Sequence, residues 1–79
     1  MSNDLRFDEW DWMIDTFFEE RARRKLEAEE PEIAEFARQM VAVNRTPLEV
    51  RTCVYDATYN KPLAYMAYYY AAWQRRSLL

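Results

Sequence analysis

Residues 61–76 read KPLAYMAYYYAAWQRR, and this stretch predicts the helix around which the rest of the chain is organised. From Leu63 to Trp73 it contains no charged residue, and four of those eleven residues are tyrosine. At about 100° per residue, one helix face collects Leu63, Met66, Ala67, Tyr70 and Trp73. The opposite face collects Tyr65, Tyr68, Tyr69 and Ala72. We expect the first face to line the core, and the second is more aromatic than a solvent-exposed face needs to be.

Outward from this helix, proline and capping signals divide the rest of the chain into three further helices. Thr46-Pro47-Leu48-Glu49 combines a threonine N-cap, a proline in the first turn and a glutamate at N3, which together form a capping box. Pro31 also fits the first turn of a helix, and Asn44 suits a left-handed helix stop. The predicted fold is all-α, a compact four-helix bundle-like single domain spanning 1–79. Its helices are expected at about 8–29, 31–43, 47–59 and 62–77.

The segment 47–59 leaves a second interpretation open. Its β-branched and aromatic residues favour a strand, whereas the capping box favours a helix, which we adopt. On a helix, one apolar strip would hold Val50, Cys53, Val54 and Ala57, and another would hold Leu48, Tyr55 and Tyr59. We therefore expect a helix covered on both sides, with Cys53 as a small buried hydrophobe.

The first predicted helix changes character halfway along its length. Its predicted core arc consists of Trp10, Met13, Ile14, Phe17 and Phe18. The same arc is continued by Arg21, Arg24 and Lys25, while Ala22 and Leu26 lie on a different side. A straight helix would overhang the core or turn a basic patch towards an acidic group. Alternatively, the helix bends, or these long side chains lie over the rim of the core.

A row of carboxylates on the first helix is the main candidate site for binding a partner. The row consists of Asp8, Asp11, Asp15 and Glu19, with Trp12 beside it. Such a row is either a solvated face or a docking surface for a cationic partner. Metal binding is disfavoured, because one helix rarely brings enough oxygen ligands to one ion. Trp12 is either a hydrophobic staple over Phe7 or an exposed anchor for a partner.

The tyrosine face of residues 61–76 is the second candidate. Tyr65, Tyr68 and Tyr69 would pack against a neighbouring helix or form a surface for self-association or for a partner. Because tyrosine hydroxyls are seldom buried without a hydrogen-bond partner, we expect this face to be interfacial or partly hydrated. Arg75 and Arg76 are a small electrostatic footprint for nucleic acid, which is disfavoured as a partner.

Composition excludes several kinds of chemistry. The chain has no glycine and no histidine, so the usual phosphate-binding loops and histidine-based catalysis are excluded. A single cysteine, Cys53, excludes an internal disulfide and leaves no usual set of zinc ligands. We expect no catalytic residues, no cofactor and no metal. Because 79 residues bury only a small core, a homo-oligomer is predicted.

Charge and patterning favour an interaction protein. The net charge is −3, with −6 on residues 1–40 and +3 on residues 41–79. The apolar run from Leu63 to Trp73 is too short to cross a bilayer, and no secretory signal is evident, so we expect a cytoplasmic protein without membrane contact. The predicted function is a non-enzymatic module that binds and modulates a macromolecular partner, with inhibition as the preferred mode and a protein, such as a nucleic-acid-binding complex, as the preferred partner. A phage- or plasmid-encoded inhibitor such as an anti-CRISPR, whose acidic face blocks a nucleic-acid-binding surface, is one form. The alternative is a small helical DNA-binding transcriptional regulator.

Overall fold

The computed structural model describes residues 17–78, with side chains to residue 77, and these residues form four helices joined by short connections. The helices are α1 (residues 17–29), α2 (Pro31–Ala42), α3 (Pro47–Thr58) and α4 (Lys61–Leu78). The all-α prediction is confirmed, and 47–59 is helical rather than extended. Residues 8–16 of the first predicted helix lie outside the described residues.

A proline begins α2, and an asparagine with a left-handed backbone follows its end. Pro31 occupies the first turn of α2, where its missing N–H has no intrahelical partner to lose. At the other end Asn44 takes a left-handed φ of 66°, as predicted for a helix stop. Its N–H donates to the Val41 carbonyl oxygen at 2.9 Å, so the last turn of α2 closes before the chain reverses.

Local capping defines both ends of α3. The Glu49 N–H donates to Thr46 Oγ1 at 3.2 Å, and the Thr46 N–H donates to Glu49 Oε1 at 3.1 Å, which confirms the capping box. Tyr59 ends the helix at a left-handed φ of 52°, a position that glycine usually occupies. Asn60 is then the N-cap of α4, since its Oδ1 accepts a hydrogen bond from the Leu63 N–H at 3.1 Å.

The central element is α4, which packs more extensively on α3 than on α2, while α2 and α3 have little contact with each other. Its predicted core face is confirmed: Leu63, Ala67 and Tyr70 are buried, and Met66 and Trp73 pack at the edge of the core. Ala64 and Ala71 are buried as well. The core residues contributed by α2 are Ala34, Ala37 and Val41, and Ile33, Phe36 and Met40 pack against them.

The predicted aromatic core arc of the first helix is wrong for its two described members. Phe17 is 60% exposed and Phe18 is 37% exposed, whereas Ala22 and Leu26 are buried. The side of α1 that faces the core carries Ala22 and Leu26, and the small Ala22 side chain lets a neighbouring helix approach closely. The arc that continues through Arg21, Arg24 and Lys25 is therefore a surface arc along its whole described length.

The expectation that α3 is covered on both sides is also wrong. Val50 and Val54 are buried, but Cys53 is exposed rather than a buried hydrophobe. The second apolar strip of α3 lies at the surface; it consists of Leu48, Tyr55 and Tyr59. The physical reason is the arrangement of the helices: α4 covers one side of α3, whereas α2 has little contact with it.

The last turn of α4 is tied to two other parts of the fold. Arg75 Nη1 donates to the backbone carbonyl oxygen of Arg45, in the connection between α2 and α3, at 3.3 Å. Arg76 forms an ion pair with Glu19 of α1. Among residues 17–78, no helix combines the length and apolar character needed to span a membrane.

Candidate protein-interaction surface

Aromatic side chains form a line across the surface of α1, α4 and α3. We call this line the aromatic belt; it consists of Phe17, Phe18, Tyr55, Tyr59, Tyr65, Tyr68 and Tyr69. None of these side chains is fully buried. The structure therefore brings the three candidate tyrosines of α4 into one surface with aromatic residues from two other helices.

Ring contacts join α1 to α4 in the first part of the belt. Phe17 meets Phe18 edge-on, with ring centroids 5.7 Å apart. Phe18 stacks on Tyr69 at 5.5 Å, and Tyr69 meets Tyr68 edge-on at 5.4 Å. Offset stacking and edge-to-face contact are the geometries that aromatic pairs prefer, so these rings hold one another in place.

An arginine extends the belt from α4 to α3. The guanidinium carbon of Arg51 lies 5.5 Å from the ring centroid of Tyr65 and 5.9 Å from that of Tyr68. Both distances fall within the range of cation–π attraction. Tyr55 lines the same groove as Arg51 and Tyr65, and its ring meets Tyr59 edge-on at 6.0 Å. The belt thus reaches α3, where Tyr55 and Tyr65 face one groove.

The belt borders two open grooves that share Tyr65. The α3–α4 groove is lined by Arg51, Thr52, Tyr55, Lys61, Ala64 and Tyr65. The α1–α4 groove is lined by Phe18, Arg21, Ala22, Lys25, Pro62, Tyr65, Met66 and Tyr69. Among the described residues, the charged side chains that line these grooves are all cationic. The surface thus combines aromatic walls with positive charge.

Tyr70 fixes the orientation of α4, which carries three of the seven belt residues. This residue is fully buried, and its hydroxyl accepts a hydrogen bond from Arg38 Nη1 at 2.8 Å and donates one to Glu27 Oε2 at 3.0 Å. Burial raises the pKa of Tyr70 above its ordinary value, because the charged phenolate is poorly solvated there. With Tyr70 fixed inwards, the helical spacing directs Tyr65, Tyr68 and Tyr69 away from the core.

The carboxylate row predicted on the first helix is described only at its last residue. Asp8, Asp11, Trp12 and Asp15 lie outside the described residues. The expected exposure of Glu19 is wrong, because only 6% of this residue is accessible to solvent. Glu19 lies on the side of α1 that faces α4, where its carboxylate pairs with Arg76.

Sequence reasoning assigns several belt residues to other places in the fold. It puts Phe17 and Phe18 in the core, because aromatic residues usually lie there, and Tyr55 under a second layer of helices. One sequence signal does indicate that the phenylalanines lie at the surface: Phe17 and Phe18 share their helix arc with Arg21, Arg24 and Lys25. Arg51 carries no local signal, because its contacts to Tyr65 and Tyr68 cross between helices.

Comparisons of the chain with protein-family models, with curated proteins and with solved structures give no significant match. Function is therefore inferred from the side chains and their geometry.

Proposed function

We propose that this chain is a non-enzymatic interaction protein that binds a protein partner through the aromatic belt and modulates, by obstruction, what that partner does. The observation that carries the proposal is the belt itself, a set of incompletely buried rings and one arginine across three helices, joined by ring contacts and by the α3–α4 groove. Tyrosine and arginine are among the residues enriched at the energetic centres of protein interfaces, because they bury a large area and keep a polar group.

The belt is suited to binding because its rings are already ordered. Association costs roughly 4–15 kcal/mol in lost translational and rotational freedom, with further losses for each side chain that becomes ordered. Burying a large apolar side chain contributes about 1.5–3 kcal/mol, so several rings must be buried together to offset that cost. The contacts among Phe18, Tyr68 and Tyr69 restrict these rings before a partner arrives, which reduces the ordering loss.

The narrower form of this proposal is an inhibitor encoded by a phage or plasmid, such as an anti-CRISPR, that covers a nucleic-acid-binding surface with an acidic face. That form depends on Asp8, Asp11, Asp15 and Trp12, which lie outside the described residues. The burial of Glu19 removes one carboxylate from the expected face. The aromatic belt supports the broader proposal without requiring the acidic face.

Site-specific photocrosslinking in the native host tests the proposal. A benzophenone side chain would replace Tyr59 or Tyr65 in the belt, and Val43 as a matched position outside it. Val43 is a suitable control because it is an apolar residue with 66% exposure, between the 79% of Tyr59 and the 45% of Tyr65. We expect both belt positions to capture one shared protein that Val43 does not capture.

The captured protein would then be purified, and its own activity titrated with the wild-type chain. A saturable change in that activity, weakened by Tyr65→Ser, supports the proposal. Adducts of equal yield at Val43 and at the belt positions would contradict it, as would capture of no shared protein at Tyr59 and Tyr65.

A further inference from the structure

The two grooves beside the aromatic belt carry positive charge that the described residues do not neutralise. Their linings contribute Arg21, Lys25, Arg51 and Lys61. The ion pairs between described residues use other cations, namely Arg24, Arg38, Arg45 and Arg76. None of the four groove cations forms an ion pair with a described carboxylate, and outside the grooves the same holds for Arg23 and Arg75. This positive charge lies on a chain whose net charge is −3.

Each groove places its cations next to apolar walls. In the α3–α4 groove, Arg51 and Lys61 accompany Tyr55, Tyr65 and the buried Ala64. In the α1–α4 groove, the cations accompany an aromatic and aliphatic wall that includes Phe18, Pro62, Met66 and Tyr69. A complementary ligand therefore needs negative charges at two places and apolar groups between them, where the grooves meet at Tyr65.

We propose that the two grooves together bind an acidic protein segment that also carries apolar side chains. Its carboxylates pair with Arg51 and Lys61 in one groove and with Arg21 and Lys25 in the other, and its apolar side chains pack on the rings between them. The inference rests on the proposed function, and it specifies the chemistry of the partner: charge complementarity selects an acidic segment.

Single-stranded nucleic acid also combines negative charge with groups that stack on rings, but the surface fits it less well. One face of the Tyr65 ring is occupied by the Arg51 guanidinium, and one face of Tyr69 is stacked on Phe18, so fewer ring faces remain for bases. A nucleic-acid strand also carries a phosphate at every nucleotide, so its negative charge would extend beyond the grooves over a protein whose net charge is itself negative. An acidic protein segment can instead confine its negative charge to the grooves.

Selection from a displayed library of random twelve-residue peptides tests the inference even while the natural partner is unidentified. The baits are the wild-type chain and two charge reversals, Arg51→Glu with Lys61→Glu and Arg21→Glu with Lys25→Glu. Arg24→Glu with Arg45→Glu is the control, because it makes the same change in net charge outside both grooves. Circular dichroism first establishes that each bait is folded, and two separate groove variants keep the test usable if one of them unfolds.

We expect peptides selected on the wild type and on the control to be enriched in Asp and Glu together with aromatic or branched apolar residues. A selected peptide should bind at least fivefold more weakly to either groove variant. Replacing its acidic residues by Asn and Gln should weaken binding by at least fivefold, and raising NaCl from 50 to 300 mM should weaken it as well. Fluorescence anisotropy of the labelled peptide measures each affinity.

Three results would overturn the inference: selection of no peptide, selected peptides without acidic enrichment, and equal loss of binding in the control and groove variants. A fifteen-nucleotide oligo-dT that binds more tightly than the selected peptides would assign the grooves to nucleic acid instead. Failure here is distinguishable from failure of the proposed function, because crosslinking at Tyr59 and Tyr65 reports a partner whatever its charge.

Discussion

The Tyr70 hydroxyl accepts a hydrogen bond from the Arg38 guanidinium at 2.8 Å, which joins the buried centre of α4 to the surface of α2. The same hydroxyl donates to Glu27 of α1 at 3.0 Å, so one polar atom connects three helices. Arg38 also donates to Glu35 at 2.6 Å, and this hydrogen bond lowers the pKa of the Glu35 carboxyl. The buried tyrosine hydroxyl is thereby paired with two side chains that also reach the surface.

Tyr70→Phe should destabilise the fold while leaving the size of the core almost unchanged. The substitution removes both hydrogen bonds of the hydroxyl and leaves Arg38 and Glu27 to solvent, which predicts a loss of about 1–3 kcal/mol in the free energy of unfolding. Urea denaturation at pH 7 measures it. Tyr55→Phe is the matched control, because Tyr55 is exposed and should change stability by less than about 0.5 kcal/mol. Equal losses in the two variants would show that the Tyr70 network contributes nothing specific.

The contribution of Tyr70 to stability should also depend on pH in the alkaline range. The pKa of Tyr70 is raised by burial, and also by the hydrogen bond to Glu27, although Arg38 partly opposes the shift. The unfolded chain therefore releases this proton at a lower pH than the folded chain. The stability contributed by neutral Tyr70 is complete below the unfolded pKa of about 10 and declines as pH rises through the folded pKa. Stability measured from pH 9 upwards should fall more steeply for the wild type than for Tyr70→Phe; parallel slopes would contradict this account.

Thr46→Ala should weaken the beginning of α3 by removing one half of its capping box. The expected loss is about 1 kcal/mol, since the Glu49 N–H would lose its hydrogen bond to the threonine hydroxyl. Thermal unfolding followed by circular dichroism measures the change. Thr46→Ser keeps the hydroxyl and should retain nearly all of the stability, so a serine variant as unstable as the alanine variant would exclude capping as the cause.

The pair formed by Glu19 and Arg76 should behave asymmetrically when it is broken. The Glu19 side chain is 8% exposed and the Arg76 side chain is 58% exposed, so loss of the arginine leaves a buried carboxylate without its partner. Arg76→Met should therefore cost about 1–3 kcal/mol in unfolding free energy. The double variant Glu19→Met with Arg76→Met should recover part of that loss, because no buried charge remains unpaired. Additive losses in this double-mutant cycle would show that the two side chains are not coupled.

Local and periodic signals predicted much of the fold. The spacing of Leu63, Ala67 and Tyr70 identified the core face of α4, since a helix that packs on its neighbours with one face concentrates its apolar residues there. Thr46 with Glu49 identified α3, because both hydrogen bonds of a capping box form within four residues. Neither inference depends on where the other helices lie.

The candidate surface was harder to predict, because hydrophobicity does not specify which side a neighbouring helix covers. The phenylalanines of α1 are its larger apolar residues, yet Ala22 and Leu26 face the core and Phe17 remains at the surface. The hydroxyl network of Tyr70 is also invisible in the local sequence, since its partners are 32 and 43 residues away. Contacts at such separations depend on how the helices pack together.

The final prediction concerns association of the chain with itself through the aromatic belt. The small core, the lack of a disulfide and the exposed rings of Tyr65 and Phe17 favour burial of this surface against a second copy. Sedimentation velocity at micromolar concentrations should reveal a species larger than the 9.7 kDa monomer. Because apolar burial drives this contact, it should persist in 0.5 M NaCl, unlike the binding of an acidic segment in the grooves.

Tyr65→Ser with Tyr69→Ser should shift the chain towards monomer and leave its helical circular dichroism largely intact. Val43→Ser is the control, since it removes an exposed apolar side chain outside the belt and should leave the distribution of species unchanged. A wild-type chain that remains monomeric at every concentration would exclude self-association. In that case the belt would not bind a second copy, and a foreign partner would be its only proposed ligand.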